Sequence, residues 1–184
     1  MMEKHANMTR KAVRLRQIGC AAYVRGDDLL DVEATLLDTK PFALRTKERG
    51  ELAAGEPIHE MSLCLTLDWD LTIVDALARV VYSPFRVCRA IENAYRRLVG
   101  MRIKPGFHQE VKAMLANISG CTHLTELIGP LATTAMQAQA ASDVREQNTS
   151  RTSRIGGCHA LRKYGNVVKA FYPESFEATA QGGY

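Results

Sequence analysis

The chain has 184 residues, is 46% hydrophobic and 24% charged, and carries a formal net charge of +4. That size and balance suit one globular domain with a real core, or one domain plus a tail. No apolar run reaches the roughly 18 residues of a membrane span. The polar N-terminus MMEKHANMTRKAVRLRQ lacks the apolar stretch of a signal peptide. Five widely spread cysteines, an odd number, argue against a disulfide framework. The expected location is the cytoplasm, with no membrane contact.

In chain order, residues 1–10 read as a disordered N-terminus. Lys11 to Val24 alternates Val13 and Leu15 with Arg14 and Arg16, the period of a strand. Gly26-Asp27-Asp28 is a turn, and Leu30 to Leu37 alternates again, completing a β-hairpin. Asp38 to Pro57, rich in charge, Gly and Pro, reads as a loop with an irregular edge. In Ile58 to Leu67, the residues His59, Met61, Leu63, Leu65 and Leu67 share one face, and Asp68-Trp69-Asp70 turns the chain into a strand over 71–81. This second hairpin completes a sheet of about four strands.

Ser83-Pro84 marks a helix start, with Phe85, Cys88, Ile91, Tyr95 and Leu98 at helical spacing, and Gly100 ends that helix. Lys104-Pro105-Gly106 opens a shorter helix. A third runs from about Thr122 to Ala141, with Thr122 and Thr125 as capping candidates and a kink at Gly129-Pro130. Residues 142–157 read as a flexible linker, 158–173 as a small terminal hairpin docking on the domain, and 174–184 as a disordered tail. Strands before helices predict an α+β fold over 11–141: an antiparallel sheet of two hairpins with three helices packed on one face.

The charge is uneven. Residues 51–85 carry one arginine against six acids, whereas 86–112 carry seven basic residues against two. Arg86, Arg89, Arg96, Arg97, Arg102 and Lys104 fall largely on one helix and its exit. That surface suits an acidic protein or a CoA-like phosphate ligand, and equally a solvated helix face. The interleaved aromatics of a single-strand binder are absent, which argues against nucleic acid.

Candidate chemistry centres on Gly120-Cys121-Thr122-His123-Leu124-Thr125-Glu126-Leu127. A cysteine at a helix N-terminus feels the positive end of the backbone dipole, which favours the thiolate, the ligating and nucleophilic form. Two residues along a helix point about 200° apart, so Cys121 and His123 act together only if Cys121 precedes the regular helix. His59 opens a strand, Cys88 lies in the first turn of a helix and Cys121 heads another. Such element ends can converge at one edge of a sheet, and Cys158-His159 repeats the pairing late in the chain. Cysteine and histidine together suit zinc or iron. The competing structural roles are a core position for Cys88 and a carbonyl-bonded strand end for His59. No Gly-rich phosphate loop, His-Glu-x-x-His or Gly-x-Ser-x-Gly motif occurs.

The segments EPIHEM, SPFRVC, AYRRLVGMRIKPGF, GCTHLTEL and GGCHALR, together and in this order, resemble a bacterial family known as domain of unknown function (DUF) family 2889, over about residues 11 to 173. A second resemblance is to IscU/NifU-type iron–sulfur scaffold proteins, carried by the hairpin leading to Cys88 and by Cys121-Thr122-His123-Leu124-Thr125-Glu126 before the last helix. It implies an IscU/NifU-like fold and a ligand site. Here a histidine, His59, stands where the scaffold's first cysteine is expected, and His123 follows Cys121 instead of preceding it.

Three functions are expected to compete. One is a metal site of His59, Cys88 and Cys121 with His123 or Cys158 as fourth ligand, catalytic or scaffold-like. Another is a metal-free thiol enzyme with Cys121 as nucleophile and His59 or His123 as base. The last is a binding module that uses the basic helix 86–104.

Overall fold

The computed structural model describes residues 9–142 and 155–178. Most of the expected linker 142–157, and the ends 1–8 and 179–184, lie outside the described residues. The chain divides into two compact units, residues 1–136 and 137–184.

The first unit is α+β. Strands β1 (Leu15–Val24), β2 (Leu30–Thr39), β5 (Pro57–Leu67) and β6 (Ile73–Tyr82) form one antiparallel sheet in the order β1-β2-β5-β6. A separate small hairpin pairs β3 (Leu44–Thr46) with β4 (Gly50–Leu52) inside the segment expected to be a loop. Strand β2 runs two residues beyond the expected Leu37, which places Asp38 in the sheet.

Alternation sorts the side chains. Leu30, Val32, Ala34 and Leu36 of β2, Met61, Leu63, Leu65 and Leu67 of β5, and Ile73, Ala76, Ala78 and Val80 of β6 are buried. Register confirms that they share a face, since Leu36 pairs with Met61 and Met61 with Val80. Opposite them, Glu33, Thr35 and Arg79 face solvent, as on a sheet covered on one side only. Edge strand β1 stands apart, with Ile18, Tyr23 and Val24 all exposed.

Helical segments supply the other layer. A 3₁₀ helix over Arg86–Leu98 packs against β6 and buries Tyr95 and Leu98; its N-cap is Phe85, not the expected Ser83. Its exit returns along the start of β6, where Gly100 N–H donates to the Ile73 carbonyl at 2.8 Å and Ile103 N–H to that of Leu71 at 2.9 Å. Helices α1 (Phe107–Met114), α2 (Thr122–Glu126) and α3 (Ile128–Ser142) follow. The expected third helix is thus two, broken at Leu127. Proline at 130 has no N–H to give the Glu126 carbonyl, so the ladder cannot continue through this point. Leu124, Leu127, Ile128 and Leu131 are fully buried.

In the second unit the expected hairpin 158–173 is replaced by turns, helix α4 (Asn166–Phe171) and a short 3₁₀ turn at Pro173–Ser175. Lys169 N–H donates to Gly165 and Tyr172 N–H to Val168, helical bonds that satisfy this backbone locally. An isolated two-stranded hairpin offers too little burial to compete, despite the β-branched Val167 and Val168. Among the described residues no helix is long and apolar enough to cross a membrane.

Candidate metal centre

The site grows from one rung of the sheet. Register places Arg16 of β1 opposite Asp38 of β2, and Asp38 opposite His59 of β5. All three continue the buried-face alternation, one step beyond the Leu36–Met61 pair. A register shift follows immediately, between Asp38 and Thr39. Bulges of this kind recur next to functional sites because they end pairing and re-aim side chains.

Asp38 is fully buried, and a buried carboxylate must be paired. Arg16 grips it bidentately, Nε to Oδ1 and Nη2 to Oδ2, both at 2.8 Å. Arg14 adds Nη2 to Oδ2 at 2.8 Å, and Arg16 also pairs with Glu126 of α2. Burial alone would push Asp38 up; hydrogen bonds and charge from Arg16 and Arg14 outweigh it and hold the carboxyl at about 2.

Two imidazoles face the same carboxylate. His59 Nδ1 lies 3.3 Å and His123 Nε2 3.6 Å from Asp38 Oδ2. The two rings stack, centroids 3.9 Å apart and planes 26° apart. The His59 contact is close but misaligned, so Nδ1 is buried without a hydrogen-bond partner among the described residues. Burial first, then the neighbouring His123, depress His59 to about 4 against the pull of Asp38. Burial and then Arg16 also lower His123. Both rings are therefore neutral near pH 7, the form that ligates metals. One oxygen of Asp38 and one nitrogen from each histidine all lie within 4.8 Å of one another.

Cys121 adjoins this group. It is the N-cap of α2, in extended conformation (φ −110, ψ 126), and thus precedes the regular helix. Its Sγ lies 4.0 Å from His123 Nδ1 and 4.0 Å from Met61 Sδ. Neither threonine caps through its side chain. Instead the buried Tyr95 hydroxyl accepts the Cys121 N–H at 3.0 Å, donates to its carbonyl at 2.9 Å and lies 2.8 Å from Thr125 Oγ1. Gly120 completes the approach. A Cβ there would meet the Leu115 carbonyl oxygen at 2.4 Å, so only glycine lets the chain enter α2 along this path.

The structure therefore brings together His59, His123 and Cys121. Cys88 is half-buried on the 3₁₀ helix, outside the convergent group. Cys158 is exposed and belongs to the second unit. Sequence reasoning missed Asp38, Arg14, Arg16 and Tyr95. For Asp38 the signal was the period-2 series Leu30, Val32, Ala34, Leu36, whose next member it is.

A one-sided antiparallel sheet with helices on its buried face makes this an α+β protein, with an Asp–His–His cluster at the end of that face. The chain belongs to the family described as protein of unknown function (DUF2889), whose sequence pattern matches residues 14–137. The matched span contains Arg14, Asp38, His59, Cys121 and His123, and excludes Cys158. No curated protein and no solved structure matches the chain.

Proposed function

We propose that the first unit binds a single transition-metal ion, zinc or iron, through Asp38, His59 and His123. The observation that carries this reading is the convergence of one carboxylate oxygen and two neutral imidazole nitrogens within 4.8 Å of one another, with His59 Nδ1 buried and unbonded. Ligands at metal bonds of about 2.0–2.2 Å sit about 3.3 Å apart in a tetrahedron, so only a small contraction is needed. Two histidines and one carboxylate suit zinc or non-haem iron. Three protein ligands leave positions for water or substrate, the arrangement of a catalytic rather than a structural ion. Arg16, bonded to both carboxylate oxygens, orients the carboxylate from outside. Imidazole and carboxylate donors favour a mononuclear ion over the cluster that an IscU/NifU-like scaffold would hold.

Anaerobic titration of chelator-treated, untagged protein with Zn(II), Co(II) and Fe(II) tests this. About one equivalent should bind, with loss in His59→Asn and His123→Asn and no change in Cys88→Ser. Uptake that is absent, or indifferent to both histidines, overturns the proposal.

The second reading, a metal-free thiol enzyme, draws on the 4.0 Å approach of Cys121 Sγ to His123 Nδ1. It requires rapid iodoacetamide labelling of Cys121 at pH 6–7 without chelator; labelling that accelerates only after chelation favours the ion. The basic stretch is a third candidate, because Arg86, Arg89, Arg96, Arg97, Arg102 and Lys104 are all exposed. An acidic protein or CoA-like phosphate held there should be released by Arg96→Glu with Arg97→Glu and not by Cys121→Ala.

A further inference from the structure

His123 has two ring nitrogens, and the metal centre above uses only one. Nε2 points to Asp38, while Nδ1 lies 4.0 Å from the Cys121 sulfur. That sulfur in turn lies 4.0 Å from the thioether of Met61. From this juxtaposition we infer that Met61, Cys121 and His123 form a second, soft site that takes a monovalent copper ion. The inference goes beyond the ion proposed at Asp38 and does not depend on it; a neutral imidazole ligates through one nitrogen at a time, so the two sites share His123 and would be filled alternately.

Three physical arguments support the assignment. The first is geometric. Two sulfurs each about 2.3 Å from an ion at a trigonal angle stand about 4.0 Å apart, and a sulfur and an imidazole nitrogen about 3.7 Å apart. The observed separations, both 4.0 Å, match the first value and need a slight contraction for the second.

The second argument is donor chemistry. Thiolate and thioether ligands select Cu(I), and imidazole suits copper as well. Met61 contributes a thioether that hard or borderline divalent ions do not seek. It is almost completely buried, so its sulfur is fixed by packing and not free to wander as an exposed methionine would be.

The third argument is charge. Binding replaces the thiol proton of Cys121 by Cu(I) and releases that proton to solvent; no electron is transferred. The product of Cu(I), one thiolate, a thioether and a neutral imidazole has no net charge, which a half-buried location tolerates. A divalent ion in the same place would leave an uncompensated positive charge at a half-buried location.

The backbone holds the cysteine for this role. The two hydrogen bonds between Tyr95 and Cys121, one donated by each, and the close passage of Gly120 over Leu115 fix the N-cap conformation before any ion arrives.

The test uses the full chain carrying Cys20→Ser and Cys158→Ser, which removes the two exposed thiols. Cu(I) is delivered anaerobically in competition with bicinchoninate. About one Cu(I) should bind per chain, and X-ray absorption should show sulfur scatterers at about 2.3 Å with a nitrogen shell. Met61→Leu conserves volume; it should weaken Cu(I) by at least about tenfold and remove one sulfur from the shell. Cys121→Ser should abolish binding. Asp38→Asn should leave Cu(I) binding intact, and Met61→Leu should leave Zn(II) or Co(II) binding intact, so the two sites fail separately. Absent Cu(I) uptake, or uptake with an unchanged sulfur shell in Met61→Leu, overturns the inference. Should Met61→Leu lose its native circular dichroism, Cys121→Ala decides by the same readout.

Discussion

The two ends of the β2–β5 pair share strands, face and alternation, yet they hold opposite chemistry. At one end Leu30 pairs with Leu67 and Val32 with Leu65, all buried and apolar. At the other, Asp38 pairs with His59, equally withdrawn from water on the carboxylate side. The apolar end stabilises the fold by removing hydrocarbon from water. The polar end gains nothing of that kind, and its buried carboxylate persists only because two guanidiniums meet it. Alternation thus selects which residues face inward and is blind to what they do there. A charge kept on the buried face, with its compensation drawn from a neighbouring strand, marks the end where the proposed site lies.

The largest expected effects separate the ends directly. Leu65→Ala should cost about 3 kcal/mol, the loss of a buried leucine plus the cavity it leaves, and should leave metal binding unchanged. Asp38→Asn should cost about the same, because Arg14 and Arg16 lose their counter-charge. Their partial exposure, 46% and 31% of the side chains, lets them rehydrate and keeps the cost at the lower end for a broken buried pair. Unlike Leu65→Ala, it should also abolish Zn(II) uptake. Urea denaturation and metal titration of both variants check the contrast.

A smaller effect is pH dependence, confined to the polar end because the leucine end has nothing to titrate on that face. His59 is depressed from 6.5 to about 4. In that interval the unfolded chain binds more protons than the folded one, so stability is complete above 6.5 and is lost as pH falls toward 4. Asp38, lowered from 3.8 to about 2, has the same sign lower down: its contribution is present above 3.8 and disappears as pH falls through 2. The His59 component is roughly 3 kcal/mol. Urea midpoints at pH 7 and 4.5, with chelator present, should lie closer together in His59→Phe than in the parent, the remaining difference coming from the likewise lowered His123.

The apolar end was legible in sequence and the polar end only in part. The faces of His59, Met61, Leu63, Leu65 and Leu67 followed from period 2 alone, and both large hairpins followed from alternation and turn residues. Asp38 escaped because a charged residue after Leu36-Leu37 resembles a loop entry. What makes it a strand residue is Arg14 and Arg16, 24 and 22 positions away, and no local pattern reveals that pairing. Cys88 shows the converse: its place in a first helical turn was visible, but spacing along a chain says nothing of convergence in space. The C-terminal segment was misread because Val167 and Val168 favour strands only where a neighbouring strand exists to pair with.

The last contrast concerns the two arginines. Arg16 occupies both carboxylate oxygens and reaches Glu126 as well. Arg14 makes a single contact, to Oδ2, the oxygen that both histidine nitrogens approach. Were Oδ2 and those nitrogens to hold the ion, Arg14 would be donating to an oxygen that the ion also needs. Arg14 is thus a competitor for the ion, whereas Arg16 is a positioning residue for the carboxylate. Arg14→Ala should change stability by less than about 1 kcal/mol, as for an ion pair with one partner nearly half exposed. It removes a positive charge and frees a lone pair, so Zn(II) affinity should rise about tenfold, or about 1.4 kcal/mol. Arg16→Ala should weaken both stability and affinity. Isothermal titration of the two variants side by side reads the difference. A fall in affinity for Arg14→Ala would mean that Oδ2 is not the ligand atom and that Arg14 orients Asp38 as Arg16 does, leaving Oδ1 to meet the metal.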